Sequence, residues 1–364
     1  MTGSLRLGGA PLPLVDRARI YACGITPYDV THLGHAATFV WVDVLGRVLA
    51  HLGAEPTVCR NVTDVDDVLT AAAARAGSPY DAFAAVTQFR FEQDMSALQV
   101  RAPAFAPRAR THVAQVIALA AGLLEVGAAY ERGGSVFFRG GSVPGDLDRE
   151  TARALATEYG DRPDDPAKDD PFDVAVWRAT TDDPSFESPW GRGVPGWHAE
   201  CAAMSLSILG ATVDVQCGGA DLAFPHHAYT AAMAEAVTGV TPYARSSFRV
   251  GTVRAGGSKM AKSTGNLVLV GDVVADHPAA ALRLLLLDRP WAEAWDFEIG
   301  ALKEAESRLD ALYGAGGTPG SDRAVDAVLD RLRDDLDVPG ALNVATDAGG
   351  AAARLLISLL GLGE

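Results

Sequence analysis

The chain has 364 residues, 48% hydrophobic and 21% charged, a soluble globular composition that excludes a disordered, fibrous or disulfide-stapled protein. At ~100–200 residues per domain it should hold two or three units, and with no unbroken apolar run of ~18 residues and no basic-then-apolar leader, neither a membrane span nor a secretory signal is expected. A formal charge of -15 counts against a broad nucleic-acid footprint, which needs clustered Lys and Arg.

Up to about residue 17 the chain is rich in Gly and Pro and reads as an irregular arm. The apolar run Arg19–Cys23 predicts a buried strand, the helix-period positions Phe39, Val42, Leu45, Val48, Leu49 and Leu52 a helix over 33–52, and Pro56–Val62 a second strand. Strand, loop, helix and strand in this order make a βαβ unit with a parallel sheet. Its functional edge should be the loop after the first strand, where a helix N-terminus faces the sheet's carboxyl end.

Residues 66–130 read as mostly helical, with alanine-rich stretches at 71–77 and 114–129. From 133 to 183 the chain is dense in Gly, Pro and Asp, with a short strand at 136–138, and reads as an insertion on the sheet without a core of its own. A second sheet-forming half returns near Gly196, with a helix over 198–209, a strand over 212–217, a helix from His227 and a strand over 248–253. After Gly271 the pattern is helical to the end, broken at 314–320. Expected units are therefore 1–110 and 185–250 as two halves of one sheet domain, 111–184 inserted, 251–275 a connector, and 276–364 a terminal bundle.

Four cysteines lie far apart, at 23, 59, 201 and 217, which suits a reduced cytoplasm better than a disulfide framework. Cys59 and Cys217 fall in strand-like runs and read as small buried residues. The acidic run Asp64, Asp66 and Asp67 precedes a helix and reads as a capping cluster rather than a metal site.

Two segments carry chemistry. His32-Leu33-Gly34-His35 sits where the first loop becomes a helix, so its backbone N–H groups and dipole favour phosphate, and Gly34 permits close approach. Taken alone, the pair reads equally well as two helix-start histidines. The second segment, Gly256–Asn266, holds Lys259 and Lys262 on a Gly-rich loop. Only four lysines occur among 31 basic residues, so two of them three positions apart argue for a purpose beyond solvation. Mobile ammonium groups are suited to the negative charge that builds on a leaving pyrophosphate.

The pairing of H-x-G-H early and K-M-x-K-S late resembles the class I aminoacyl-tRNA synthetases. Cys23-Gly24, Asn61–Asp67, Gly196–Cys201 and Gly218–Asp221 with Phe224–His227 are similar to the cysteine-activating branch, cysteinyl-tRNA synthetase and the cysteine:glucosaminyl-inositol ligases of mycothiol biosynthesis. The resemblance spans roughly residues 17–345. Two details favour the ligases: Ile25 follows Gly24 where the synthetase has proline, and Thr230 stands where the synthetase supplies a glutamate to zinc.

The resemblance implies an α/β fold: a class I synthetase-type Rossmann catalytic domain with a parallel sheet, an inserted segment and a C-terminal helical bundle. It implies zinc on Cys23, Cys201 and His226, with His227 the alternative to His226. Two thiolates and an imidazole leave one tetrahedral position for a substrate thiolate, which would reject serine by coordination chemistry. Gly24, Thr26 and Trp197 would lie near the substrate amine, Thr63 near its carboxylate, and Asp221 near the amine or the nucleotide; Trp197 also reads as a core aromatic. ATP would lie against His32, Gly34, His35, Gly251 and Val253, with Lys259 and Lys262 on its phosphates and magnesium accompanying it.

The implied reaction joins L-cysteine through cysteinyl-AMP to an amine, with the glucosamine amine of glucosaminyl-inositol favoured and no tRNA or membrane partner. Another amine in a natural-product pathway, tRNA charging, and a non-catalytic binding protein are the rival readings. Ala261, Ala228 and Arg249 depart from the family pattern and leave the acceptor open.

Overall fold

The computed structural model describes residues 5–13, 16–28, 30–260, 264–320 and 322–363. Where an irregular arm is expected, β1 (Arg6–Leu7) and β2 (Ala10–Pro11) form a small antiparallel hairpin. The predicted βαβ unit follows as β3 (Arg17–Ile25), α1 (Leu33–His51) and β4 (Glu55–Val62), and β3 pairs with β4 in parallel. Then come α2 (Asp67–Arg75), α3 (Tyr80–Ala97) and α4 (Val113–Glu125).

The next stretch comprises β5 (Ala129–Arg132), β6 (Ser135–Phe138), α5 (Arg149–Glu158), β7 (Val174–Ala179) and β8 (Gly193–Pro195). The second half of the main sheet supplies α6 (Trp197–Leu209), β9 (Val213–Gly219), α7 (Ala228–Thr238) and β10 (Ala244–Val250). β11 (Val253–Ala255), β12 (Ser258–Lys259), α8 (Val270–Asp276), α9 (Ala279–Leu287) and β13 (Trp295–Phe297) lead to α10 (Gly300–Gly316), α11 (Asp322–Arg333), α12 (Val338–Ala348) and α13 (Gly350–Leu360).

The central sheet is parallel in the order β10-β9-β3-β4. The order runs outward on both sides of the β9–β3 pair, so the chain leaves the carboxyl ends of these two strands in different directions and opens a crevice there. α1 is buried along nearly its whole length. It has the length and mean hydropathy (1.3) of a membrane-crossing helix, but 78% of that window is buried inside the molecule, as in a core helix.

The inserted stretch holds more strands than the single one expected at 136–138. β5, β6, β7 and β8 form an antiparallel sheet, and with α4 they build a hydrophobic cluster around Val116, Leu123, Val136, Phe172 and Trp177. That cluster continues into Ala199, Tyr229 and Met233, so the insertion is welded to the helices behind the crevice. β13 was also not anticipated. Its three residues pair in parallel with β11, the strand that leads into the lysine loop.

Candidate active site

A cleft of about 680 Å³ opens at the carboxyl edge of the central sheet. It begins at the end of β3, where a bulge between Ala22 and Ile25 breaks the register with β4. Gly24 occupies that bulge, and a Cβ there would sit 1.7 Å from the Asn61 carbonyl oxygen, so only glycine fits. Its N–H donates to Asn61 Oδ1 at 2.9 Å. Beside it the Thr26 and Thr63 hydroxyls share a hydrogen bond of 2.7 Å, and Thr63 also donates to the Ile25 carbonyl at 3.3 Å.

Cys23, Cys201 and His226 come from β3, α6 and the irregular turn Ala223–His227, and their ligand atoms all lie within 4.8 Å of one another. His226 Nε2 is 3.2 Å from the Cys201 sulfur, which also accepts from Asn61 Nδ2 at 3.3 Å. The neighbouring Cys201 and burial push the Cys23 thiol well above its ordinary range. A pair of thiolates here therefore needs a compensating cation. Burial and the adjacent His198 and His227 hold the His226 pKa well below that of a free imidazole, leaving the neutral, ligating form. By geometry and donor chemistry the set fits a metal ion, with His226 and not His227 in the group. No carboxylate joins them among the described residues. Thr230 instead packs under His198, its hydroxyl 3.5 Å from the His198 carbonyl.

His32 caps α1: its Nδ1 accepts from the Gly34 N–H at 3.1 Å, and its ring stacks on His35 at 4.0 Å. His35 Nδ1 is buried with no hydrogen-bond partner. Burial, reinforced by His32, lowers the His35 pKa to about 3 against the opposing pull of Asp221. Both histidines and Gly34 line the cleft, as do Gly251 and Val253.

Lys259 reaches the cleft from β12 and pairs with Asp221 Oδ2 at 2.7 Å. Burial works against its charge, but Asp221 and then Tyr159 overcome this and raise the Lys259 pKa. Trp197 stacks over the His226 ring at 3.9 Å, so it is part of the site wall rather than of the core. Lys262 and Ala261 lie outside the described residues. All the other residues singled out for the site line this one cleft.

The remaining readings are accounted for. Cys59 and Cys217 are fully buried within β4 and β9. Asp66 caps α2 through the Val68 and Leu69 N–H groups, Asp64 pairs with Arg108 at 2.8 Å, and Asp67 with Arg178 at 2.8 Å. Ala228 opens α7, and Arg249, exposed on β10, adds to burial in lowering the pKa of His227.

Three cleft-side residues escaped the sequence reading. Asn61 begins the Asn61–Asp67 segment and ties Gly24 to Cys201; its position at the end of a strand next to β3 was the available signal. His198, three residues before Cys201 on one helix face, lies with Nδ1 2.9 Å from His226 Nδ1. Tyr159, just after α5, reaches Lys259 Nζ with its hydroxyl at 3.3 Å and stacks near Trp197. Nothing in its local sequence marks it.

Residues 13–307 match the family model for the class I (C) catalytic domain of tRNA synthetases. The chain is 44% identical to an L-cysteine:1D-myo-inositol 2-amino-2-deoxy-alpha-D-glucopyranoside ligase of Acidothermus cellulolyticus, over 89% of this chain and 83% of that one. It is 39% identical to the ligase of the same name from Streptomyces avermitilis, over 98% and 93%. In fold it is similar to Mycobacterium tuberculosis methionyl-tRNA synthetase in complex with methionyl-adenylate: the TM-score is 0.67 at 17% identity, over 96% of this chain and 82% of that one. It is likewise similar to an Agrobacterium radiobacter LeuRS seen in a ternary complex, with TM-score 0.64 at 11% identity, over 95% and 83%.

Proposed function

Because this chain belongs to the class I (C) tRNA synthetase catalytic-domain family, we propose that it is an ATP-dependent ligase joining L-cysteine to the amine of a glucosaminyl-inositol. The carrying observation is the convergence in one cleft of the Cys23–Cys201–His226 group, the capped start of α1 and Lys259. The acceptor rests on the names of the relatives, which cover most of both chains.

Cysteine's carboxylate attacks the α-phosphorus of ATP and pyrophosphate leaves; the acceptor amine then attacks the acyl carbon of cysteinyl-AMP, AMP leaves, and an amide remains. The α1 N-terminus with His32, Gly34 and His35 would hold the phosphates, beside Gly251 and Val253 on the nucleotide side. Lys259, with Lys262, would meet the charge developing on pyrophosphate. Thr26, Gly24 and Trp197 would hold the substrate amine, with Asp221 as its counter-charge, and Thr63 the carboxylate. Holding both reactants in one cleft removes much of the entropic cost of their meeting.

Cys23, Cys201 and His226 would hold zinc, which when bound supplies an open position that prefers a thiolate to a hydroxyl. Magnesium would enter with ATP. The cytoplasm, with its reduced thiols, is the compartment this chemistry requires.

The test is AMP formation with ATP, magnesium and cysteine, comparing glucosaminyl-inositol, cysteine tRNA and no acceptor, with cysteine-dependent pyrophosphate exchange measured on the same preparation. Exchange together with turnover driven only by the aminosugar is the expected result. Exchange without either acceptor would redirect the second step to another amine, and turnover on tRNA would reassign the chain to tRNA charging. Absence of exchange in zinc-loaded protein would overturn the enzyme reading.

A further inference from the structure

His198 has no part in the reaction as derived, yet it is buried against the proposed metal group. It lies on α6 three residues before Cys201, so one helix face presents both side chains. Its Nδ1 is 2.9 Å from His226 Nδ1, and on the other side of the His226 ring Nε2 faces the Cys201 sulfur at 3.2 Å.

These two distances constrain the protons. A neutral imidazole carries one N–H and one lone pair. For Nε2 of His226 to offer its lone pair toward the sulfurs, its hydrogen must be on Nδ1, and among the described residues the atom placed to receive it there is His198 Nδ1. The opposite direction, His198 donating, would leave the hydrogen of His226 on Nε2, pointing into the space between Cys23 and Cys201. Only the first arrangement is compatible with a cation bound by all three.

We propose that His198 is a positioning residue: its Nδ1 accepts the Nδ1–H of His226 and fixes the tautomer that turns Nε2 toward a divalent cation held with Cys23 and Cys201. The inference rests on the metal reading above. The acceptor ring is itself fixed. It stacks on Tyr229 with centroids 5.2 Å apart and planes 15° from parallel, and the Tyr229 hydroxyl donates to the Phe172 carbonyl at 2.6 Å. The inserted segment therefore braces the metal group through Phe172, Tyr229 and His198 in turn.

The choice of an imidazole acceptor also matters. Histidine ligands more often donate to a carboxylate, a carbonyl or water. Two thiolates already balance a dication, and a carboxylate behind His226 would add negative charge against an incoming substrate thiolate. A neutral acceptor orients the ring without that repulsion.

The experiment compares the full chain with His198→Leu and His198→Asn, the latter placing an acceptor oxygen where Nδ1 stands. Zinc affinity is measured by competition with a chromophoric chelator, on samples whose fold is checked by circular dichroism. His198→Leu should bind zinc about 10–100-fold more weakly, and His198→Asn should stay within about threefold of the unaltered chain. A folded His198→Leu protein with undiminished zinc affinity would overturn the proposal. Should that variant not fold, the readout is the histidine ¹⁵N spectrum of the unaltered, zinc-loaded chain. A His226 bearing hydrogen on Nδ1 with Nε2 metal-bound supports the assignment, and metal on Nδ1 refutes it. If the unaltered chain fails to bind zinc at all, the metal reading falls and takes this one with it.

Discussion

Lys259 holds its ammonium 2.7 Å from the Asp221 carboxylate, the same carboxylate that the proposed reaction assigns to the ammonium of cysteine. Two cations cannot share it equally. Binding of cysteine should loosen Lys259 from Asp221 and leave it free for the phosphates of ATP. Affinity for α,β-methylene-ATP is therefore expected to rise about fivefold or more when cysteine is present. Asp221→Asn should abolish that dependence. ATP-analogue binding that ignores cysteine would show that the pair is a fixed strut. Lys259→Ala should slow pyrophosphate exchange by about 100-fold, since its charge acts on the leaving group, and should lower the KM for cysteine, because Asp221 no longer has an ion pair to give up.

His35 gives the fold a dependence on pH with a definite sign. Burial, then the neighbouring His32, lowers its pKa to about 3 in the folded chain, against an ordinary value of 6.5. The unfolded chain therefore takes up a proton first as the pH drops. The stabilising effect of a neutral His35 is present above pH 6.5 and is lost progressively below it, by at most about 1.4 kcal/mol per pH unit. Urea unfolding at pH 7, 6 and 5 should show a slope to which the buried His198, His226 and His227 add with the same sign, and His35→Gln should reduce it by the share of one histidine. An equal slope in both proteins would place the acid sensitivity elsewhere.

The buried pair Arg283 and Asp43 ties α9 to α1, the helix whose start carries His32 and His35. Arg283 Nη2 is 2.5 Å from Asp43 Oδ2, and both side chains are at most 2% exposed. The same guanidinium donates to the Leu98 carbonyl at 2.6 Å and the Leu360 carbonyl at 2.5 Å, so α3 and α13 meet at this one side chain. Arg283→Met leaves two carbonyls without a donor, while Asp43 keeps Arg47 and Arg101 at 2.7 and 2.8 Å. The expected loss is about 3 kcal/mol, at the lower end for a broken buried pair. Urea midpoints of the two proteins measure it, and a loss under 1 kcal/mol would mean that solvent replaces the missing contacts.

How much of this was legible in the sequence follows from the range of the interactions involved. α1 and the strands beside it are long and regularly patterned, and the site residues cluster at their ends, where loops and helix starts announce themselves. The insertion's strands hold only three to six residues each, with mixed exposure, and their sheet emerges only when β7 returns 35 residues after β6 to pair with it. β13 has three residues and takes its identity from β11, some 40 positions earlier. His198 and Tyr159 were missed for the same reason. The ring facing His198 is 28 positions away and the ammonium beside Tyr159 is 100 positions away, so neither pairing leaves a local pattern.

Asn61 separates two tasks that one substitution can distinguish. Its Oδ1 accepts the Gly24 N–H at 2.9 Å and its Nδ2 donates to the Cys201 sulfur at 3.3 Å. Asn61→Asp keeps the first bond and replaces the second donor with a negative oxygen facing a thiolate. Such a change should weaken zinc retention about 10–100-fold, the range for outer partners of metal ligands, and because Asn61 is buried the introduced carboxylate should lower the melting transition as well. Asn61→Ala removes both bonds and strands the Gly24 N–H, so it should also cost about 1–3 kcal/mol of stability. Chelator competition and urea unfolding on the two variants read the tasks apart. If Asn61→Asp retained zinc as tightly as the unaltered chain, the side chain would be a brace for the Gly24 bulge alone.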